Sequence, residues 1–313
     1  MIPELGKYII SKANSLQVQD IYILPHGLEY HVILRSGDQS QTSDIFDKEK
    51  AANLISHFKF VAGMNVGEKR RSQLGACDYP LDDKQKISLR LSSVGDYRGL
   101  ESLVIRLLYS SQKDLNYWFK DDEKLAQQLG GRGLYLFSGP VGSGKTSLMH
   151  QLIAQQTREK QVITIEDPVE IKNDQLLQLQ VNESIGMTYD QLIKLSLRHR
   201  PDLLIIGEIR DSKTAKAVIR ASLTGAMVFS TIHAKSIPGV YARLLELGIQ
   251  KEEIKNTLTL VTYQRLIAQG GLIDFASKDF QNHTHQEWNQ KIDSLLKEGH
   301  LTETQAEFEK ITL

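Results

Sequence analysis

A glycine-rich octapeptide with the pattern G-x-x-x-x-G-K-[ST] spans residues 139–146 and limits the possible folds more than any other segment of the sequence. An apolar run at 134–137 precedes it and a helical pattern at 146–157 follows, the strand–loop–helix setting that a phosphate-binding loop requires. Glycines let the backbone amides turn inward around a phosphate chain, and the helix N-terminus adds partial positive charge. The predicted nucleotide-binding residues are Gly139, Pro140, Val141, Gly142, Ser143, Gly144, Lys145, Thr146 and Ser147.

Two side chains at the end of this loop have separate expected roles. Lys145 can reach the outer phosphates of a nucleotide, and the hydroxyl of Thr146 can bind Mg²⁺. A chance loop of similar composition is the alternative, but it does not explain the strand and helix patterns on either side. The sequence therefore predicts a protein that binds ATP or GTP.

Charge and cysteine content exclude several other classes of protein. The 313 residues include 38 Lys plus Arg and 38 Asp plus Glu, so a general attraction to nucleic acid or anionic lipid is not indicated. The single cysteine, Cys77, excludes an internal disulfide. The sequence has no apolar run of about 18 residues and no signal-peptide core, so we expect a cytoplasmic protein without a transmembrane helix.

The spacing of apolar residues predicts a small α+β domain over residues 1–108, followed by a polar linker at 109–116. Leu5, Ile9, Ala13 and Leu16 recur at helical spacing and indicate an amphipathic first helix. A turn is expected at 25–27. The other predicted elements of this domain are strands at 18–24, 30–35, 87–91 and 104–108 and a helix at 47–64.

The pattern of apolar residues is different over residues 117–313. Apolar segments typical of strands alternate there with helical segments, and the C-terminal part is polar and helical. This alternation favours an α/β fold with a mainly parallel sheet covered by helices on both faces. The predicted strands are 134–137, 162–165, 203–206 and 226–230, and the predicted helices lie near 146–157, 188–199, 212–223 and 238–247.

Polar clusters follow three of these strands, at 166–170, 207–211 and 230–233. Taken singly, each carboxylate could be a helix cap or part of a solvated turn. Because the carboxyl ends of parallel strands meet at one edge of a sheet, the three clusters are expected to lie near the phosphate loop. Their convergence on that edge favours a catalytic site.

Hydrolysis of a nucleoside triphosphate needs magnesium, an oriented water and compensation of developing negative charge. Glu208 is expected to join Thr146 in the Mg²⁺ site, directly or through water. Glu170 is expected to orient the attacking water or accept its proton. His233 can hydrogen-bond the γ-phosphate or that water, although a core histidine is the alternative.

Together these segments resemble the secretion ATPases, the hexameric motors of type II secretion and type IV pili. The matching segments are the phosphate loop, ITIEDPVE at 163–170, PDLLIIGEIRD at 201–211 and STIHA at 230–234. The resemblance covers roughly residues 15–270 and implies a RecA-like ATPase domain preceded by a smaller, PAS-like α+β domain. It makes Glu170 the catalytic glutamate, Glu208 the Walker B acid and His233 the histidine of the family's histidine box.

The first domain also resembles the family, but with departures from its pattern. Residues 66–73 are similar to an arginine–proline–glutamine element, with Ser72 where proline is usual. Arg90 and Arg106 match arginines that act as fingers on the nucleotide, although residues 99–102 read Gly-Leu-Glu-Ser where Gly-Glu-Lys is usual. A surface ion pair is the alternative role for each arginine.

The short chain, without a tetracysteine zinc motif, is similar to the competence branch of this family in Gram-positive bacteria. That resemblance implies a homo-hexamer with ATP and Mg²⁺ as cofactors that powers assembly of a competence pseudopilus for DNA uptake. An inner-membrane platform protein would be its partner and would hold it at the inner face of the membrane, with no direct binding of nucleic acid. The alternatives are a RecA-like DNA translocase or helicase, and a nucleotide-binding regulator that is not a motor.

Overall fold

A computed structural model describes residues 1–36, 39–82, 85–109, 115–156, 160–169 and 171–312. The chain divides into two compact units, Met1–Ser111 and Gln112–Leu313. The division falls inside the range 109–116 that the sequence predicts to be a linker, of which residues 110–114 lie outside the described part.

The first unit has α1 and α2 packed on one face of a six-stranded antiparallel sheet. The strand order is β3-β2-β1-β6-β5-β4. The elements are α1 (Ile2–Ser15), β1 (Asp20–His26), β2 (Glu29–Ser36), β3 (Gln39–Asp47), α2 (Lys48–Val61), β4 (Gln73–Pro80), β5 (Lys86–Gly95) and β6 (Glu101–Leu108).

Alternate side chains of the central strands point toward the helices and form the core of this unit. Ile21 and Ile23 of β1 and Leu103 and Ile105 of β6 are all fully buried against the helices. Asp47 is the N-cap of α2, and its carboxylate accepts a hydrogen bond from the Lys50 backbone amide at 2.8 Å. The predicted α+β character of the first domain is therefore confirmed.

The edge strands β3 and β4 were missed by the sequence prediction. Edge strands bury few side chains, and in β4 only Tyr79 is buried, so the apolar alternation is weak. The predicted turn at 25–27 is also wrong in detail, because β1 continues to His26 and the turn consists of Gly27 and Leu28. At the end of α1, Leu16 lies beyond the helix and is exposed.

A buried ion pair connects α2 with the start of β6 in the first unit. The ammonium of Lys59 on α2 pairs with the carboxylate of Glu101, and both side chains are buried. The same ammonium donates to the carbonyl oxygen of Glu68 at 2.6 Å. Helix α2, the start of β6 and the loop before β4 are thus tied together by one cation.

The second unit is built on a seven-stranded sheet in the order β13-β12-β7-β11-β10-β8-β9, parallel except for β13. Its elements are α3 (Asp121–Gln127), β7 (Gly133–Ser138), α4 (Lys145–Gln156), β8 (Val162–Glu166), β9 (Leu177–Gln180), α5 (Tyr189–Arg198), β10 (Leu203–Ile209), α6 (Ser212–Leu223), β11 (Met227–Ile232), α7 (Ile237–Glu246), α8 (Lys251–Thr257), β12 (Leu258–Ile267), β13 (Gly270–Ala276), α9 (Gln286–Lys297) and α10 (Glu303–Glu309).

Helices cover both faces of this sheet, as the sequence predicts. Leu134 and Leu136 of β7 pack with α5 to α10, whereas Tyr135 and Phe137 pack with α3 and α4 on the other face. Strands buried on both sides read as continuous apolar runs, which is why these were visible in the sequence. Within the described residues, no helix combines the length and apolarity needed to cross a membrane.

The C-terminal helices are anchored to the second unit. Trp288 of α9 is fully buried in the core, and its Nε1 donates to the carbonyl oxygen of Glu309 at 2.9 Å. Asn289 exchanges two hydrogen bonds with the backbone of Ile311, at 3.1 and 3.0 Å. The polar C-terminal part is thus an ordered, packed part of this unit.

We expect Lys59→Met to lower the free energy of unfolding of the first unit by about 3–5 kcal/mol, because Glu101 would stay buried without its cation. Urea unfolding followed by circular dichroism measures the change. The double variant Lys59→Met/Glu101→Leu leaves neither charge and should recover much of the loss. A double variant no more stable than the single one would contradict this account of the pair.

Candidate functional site

The phosphate loop connects β7 to α4, and its glycines adopt backbone conformations that other residues avoid. Gly139, Gly142 and Gly144 have φ values of +145°, +77° and +83°. A Cβ at Gly139 would overlap the carbonyl oxygen of Gln264, and one at Gly144 would lie 2.9 Å from a Leu115 methyl group. The loop therefore needs glycine both for its turns and for the close approach of β12.

Lys145 begins α4 and is held over the loop. Its Nζ donates to the carbonyl oxygens of Gly139 at 3.0 Å and Pro140 at 2.7 Å, and the side chain is 9% exposed. Thr146 and Ser147 follow in the first turn of the helix. The loop thus brings a cation, two hydroxyls and a helix N-terminus to one place, as phosphate binding requires.

Gln264 of β12 fastens the loop from the neighbouring strand. Its Nε2 donates to the carbonyl oxygen of Ser143 at 2.7 Å in a buried environment. In the described part of the chain, the hydroxyl of Ser143 and the Oε1 of Gln264 are buried without a hydrogen-bond partner. Polar atoms left in this state beside the loop fit a site that takes a polar ligand.

Glu208 lies within β10, not beyond its end as predicted. The strand continues to Ile209, past an irregularity in the register between Ile206 and Glu208. The apolar run stops at Ile206, but the backbone pairing with β11 does not, which explains the error. The Glu208 carboxylate pairs with the guanidinium of Arg210, and its Oε2 lies 3.8 Å from Nε2 of His233.

His233 follows β11 directly, and its side chain is 49% exposed, which rules out the alternative of a core histidine. The predicted strand 226–230 runs instead over Met227–Ile232, so Ser230 and Thr231 are buried strand residues. Just after His233, the amide of Ala234 donates to the hydroxyl of Ser138 at 3.1 Å. This bond ties the histidine segment to the end of β7.

The acidic residues at the end of β8 and just after it have different roles. Glu166 is the last residue of the strand, and its buried carboxylate accepts hydrogen bonds from Thr164 at 2.6 Å and Gln178 at 3.2 Å. It is therefore a structural group. Asp167 lies 3.8 Å from the Arg210 guanidinium, at the edge that carries Glu208. Glu170, the predicted catalytic glutamate, lies outside the described residues.

A partly buried tyrosine, Tyr189, adjoins these carboxylates. A Cβ on Gly207, next to Glu208, would lie 3.0 Å from the Tyr189 hydroxyl. Burial, with the charges of Asp167 and Glu208, raises the pKa of Tyr189. The phenol therefore stays neutral at physiological pH and can donate or accept a hydrogen bond.

A cavity of about 720 Å³ opens over the phosphate loop. Its walls come from residues 139–143 of the loop, residues 233–235 after β11, the end of β12 and the end of α10. The β12 and α10 residues were missed by sequence reasoning. One available signal was Gln264, a polar side chain within the apolar run of Leu258–Ile267.

Magnesium can be held in proteins by few side chains. Among the described residues, no cluster of three or more His, Cys, Asp or Glu could hold a metal ion. Mg²⁺ is commonly bound by one or two carboxylates together with substrate phosphates and water. The hydroxyl of Thr146 and the carboxylate of Glu208 suit such a sparse site.

The two predicted finger arginines are neighbours in the first unit. Arg90 of β5 lies directly opposite Arg106 of β6. Arg106 lies opposite Asp20 of β1, and Asp20 lies opposite Arg35 of β2. These four residues form a row on the sheet face that points away from the helices. The Arg106 guanidinium donates to both Asp20 carboxylate oxygens, at 2.8 and 3.2 Å, so the predicted surface ion pair exists for Arg106.

Known proteins are similar to this chain in sequence. The family described as Type II/IV secretion system protein matches residues 1–295. Competence protein ComGA of Streptococcus pneumoniae is 62% identical over 100% of this chain and 99% of its own length. The type IV pilus assembly ATPase PilB of Pseudomonas aeruginosa is 30% identical over 90% of this chain and 49% of its own length.

The fold has a counterpart among solved structures. The X-ray structure of the ATPase DotB from Legionella pneumophila matches with a TM-score of 0.79 and 16% identity, covering 98% of this chain and 95% of that one. This likeness confirms the predicted RecA-like fold. The family match and the whole-chain similarity to ComGA show that this protein is an ATPase that belongs to the type II/IV secretion system protein family.

Proposed function

We propose that this ATPase is a hexameric motor that drives assembly of a competence pseudopilus, a type II secretion-like machine for DNA uptake. The observation that carries the proposal is the 62% identity to competence protein ComGA along the whole chain. The site supports it, because the phosphate loop, Glu208 and His233 come together at one edge of the sheet.

ATP and Mg²⁺ fit the residues at this edge. The loop amides and Lys145 would hold the phosphates, and Thr146 with Glu208 would hold the ion, directly or through water. When bound, Mg²⁺ neutralises charge that develops on the phosphate oxygens. Arg210 pairs with Oε1 of Glu208, so Oε2 is the oxygen that would meet the ion or a water bound to it.

The remaining catalytic roles belong to four residues in this proposal. Glu170 would orient the attacking water or accept its proton, and His233 would hydrogen-bond the γ-phosphate or that water. Arg90 and Arg106 would supply positive charge to a nucleotide as arginine fingers. The exposed half of His233 faces the cavity over the loop, which supports its part in this assignment.

The motor would work in the cytoplasm at the inner face of the cell membrane. An inner-membrane platform protein of the pseudopilus machine would be its partner, and attachment to the membrane would pass through that protein. The balanced charge of the chain supports the view that DNA is cargo of the machine and not a ligand of this subunit.

We expect Glu208→Gln to slow ATP hydrolysis by about 100-fold or more, because it removes a charge that acts in the transition state. ATP binding, measured by calorimetry, should persist because the phosphate loop is intact. Glu246→Gln is a matched control, since Glu246 pairs with Arg243 on the surface of α7. Hydrolysis at the wild-type rate by Glu208→Gln would contradict the assigned role.

We expect Arg90→Ala to reduce ATP turnover by about 10³–10⁵-fold without unfolding the chain, as loss of an arginine finger does in other NTPases. A steady-state phosphate-release assay measures the effect. Arg35→Ala removes a guanidinium from the same row and should leave most activity. Equal losses in the two variants would point to a general effect of surface charge and not to a finger.

The hexamer is tested by mass. Static light scattering of the wild-type protein with Mg²⁺ and a non-hydrolysable ATP analogue should give about six times the mass of the 35.4 kDa chain. The same measurement without nucleotide is the control. A chain that stayed monomeric in both conditions would contradict a ring-shaped motor.

A further inference from the structure

Three exposed apolar side chains surround the cavity over the phosphate loop. Val141 is 85% exposed, Leu266 is 43% exposed and Phe308 of α10 is 82% exposed. Val141 belongs to the loop, but Leu266 and Phe308 come from parts of the chain outside every nucleotide-binding motif. An apolar wall beside a phosphate site offers a surface to the non-phosphate part of a ligand.

The sheet order decides which part of a nucleotide meets this wall. Strand β7, which leads into the loop, lies between β11 and β12. The β11 side carries His233 and, one strand further, Glu208, so the terminal phosphate belongs there. The nucleoside then extends to the other side, where the ends of β12 and α10 supply Leu266 and Phe308.

Phe308 is exposed but fixed in position through its neighbour Glu309. The Glu309 carbonyl oxygen accepts from Trp288 at 2.9 Å and from Arg265 at 3.2 Å, and its carboxylate pairs with Arg265 at 2.9 Å. Arg265 in turn donates to the Tyr263 hydroxyl at 2.7 Å and lies over the Trp288 ring at 5.6 Å. These contacts hold the end of α10 at the cavity.

From this geometry we propose that the Phe308 ring stacks on the nucleobase of the bound nucleotide, with Leu266 packing beside it. The inference rests on the proposed function, because it needs ATP phosphates on the loop. It gives the C-terminal helices a direct part in binding. Stacking on an aromatic ring does not depend on base-specific hydrogen bonds, so the contact adds affinity without selecting one purine.

The test compares two ligands that share phosphates but differ in the base. Calorimetry with Mg²⁺ measures binding of ADP and of inorganic tripolyphosphate to the full-length protein. Phe308→Ala should weaken ADP binding by about 10-fold, within the range for loss of one base–aromatic stack. Tripolyphosphate binding should not change, and Phe308→Tyr, which keeps the ring, should bind ADP as the wild type does.

Leu223→Ala is the matched control. Leu223 is 61% exposed at the end of α6, which runs back from the site toward the opposite edge of the sheet. Unchanged ADP binding by Phe308→Ala would overturn the inference, and so would equal weakening of both ligands, which would mean that the loop had moved. Wild-type protein that bound neither ligand would instead overturn the proposed function and the inference with it.

Discussion

The close approach of β12 to the phosphate loop is the constraint on which the nucleotide site depends. Only glycine fits at position 139, because any side chain there would overlap the backbone of Gln264. The Gln264 amide then fixes the loop through the Ser143 carbonyl. Lys145 is held on loop carbonyls as well, so contacts within the second unit define the shape of the loop.

Alternation along β12 links the loop to the C-terminal helices. Successive residues of a strand point to opposite faces. Gln264 contacts the loop on one face, whereas its neighbours Tyr263 and Arg265 face Trp288 and Glu309 on the other. One strand thus supports the phosphate loop and carries the attachment of α10. This explains why residues near the end of the chain form a wall of a cavity whose phosphate loop lies more than a hundred positions earlier.

Much of the fold and site follows from the sequence, because the central strands are buried on both faces and the family motifs are contiguous. Errors arise where a strand pairs with its neighbours through backbone hydrogen bonds but lacks an apolar pattern. Glu208 is a polar residue inside a strand, and the edge strand β4 has hardly any buried side chains. The roles of Gln264 and Phe308 depend on contacts between distant segments, which a local pattern cannot encode. The role of Glu170 and the domain boundaries stay predictions.

The row Arg35, Asp20, Arg106 and Arg90 places one carboxylate among three guanidinium groups on a single face of the first unit. Like charges side by side raise the energy of the folded sheet. An anion drawn to this face would relieve that repulsion as it binds, so recognition and conformational stability are thermodynamically linked there. Arg90 and Arg106 are the like-charged neighbours of this row, so an anion bound between these two side chains would lower their repulsion and stabilise the sheet at the same time.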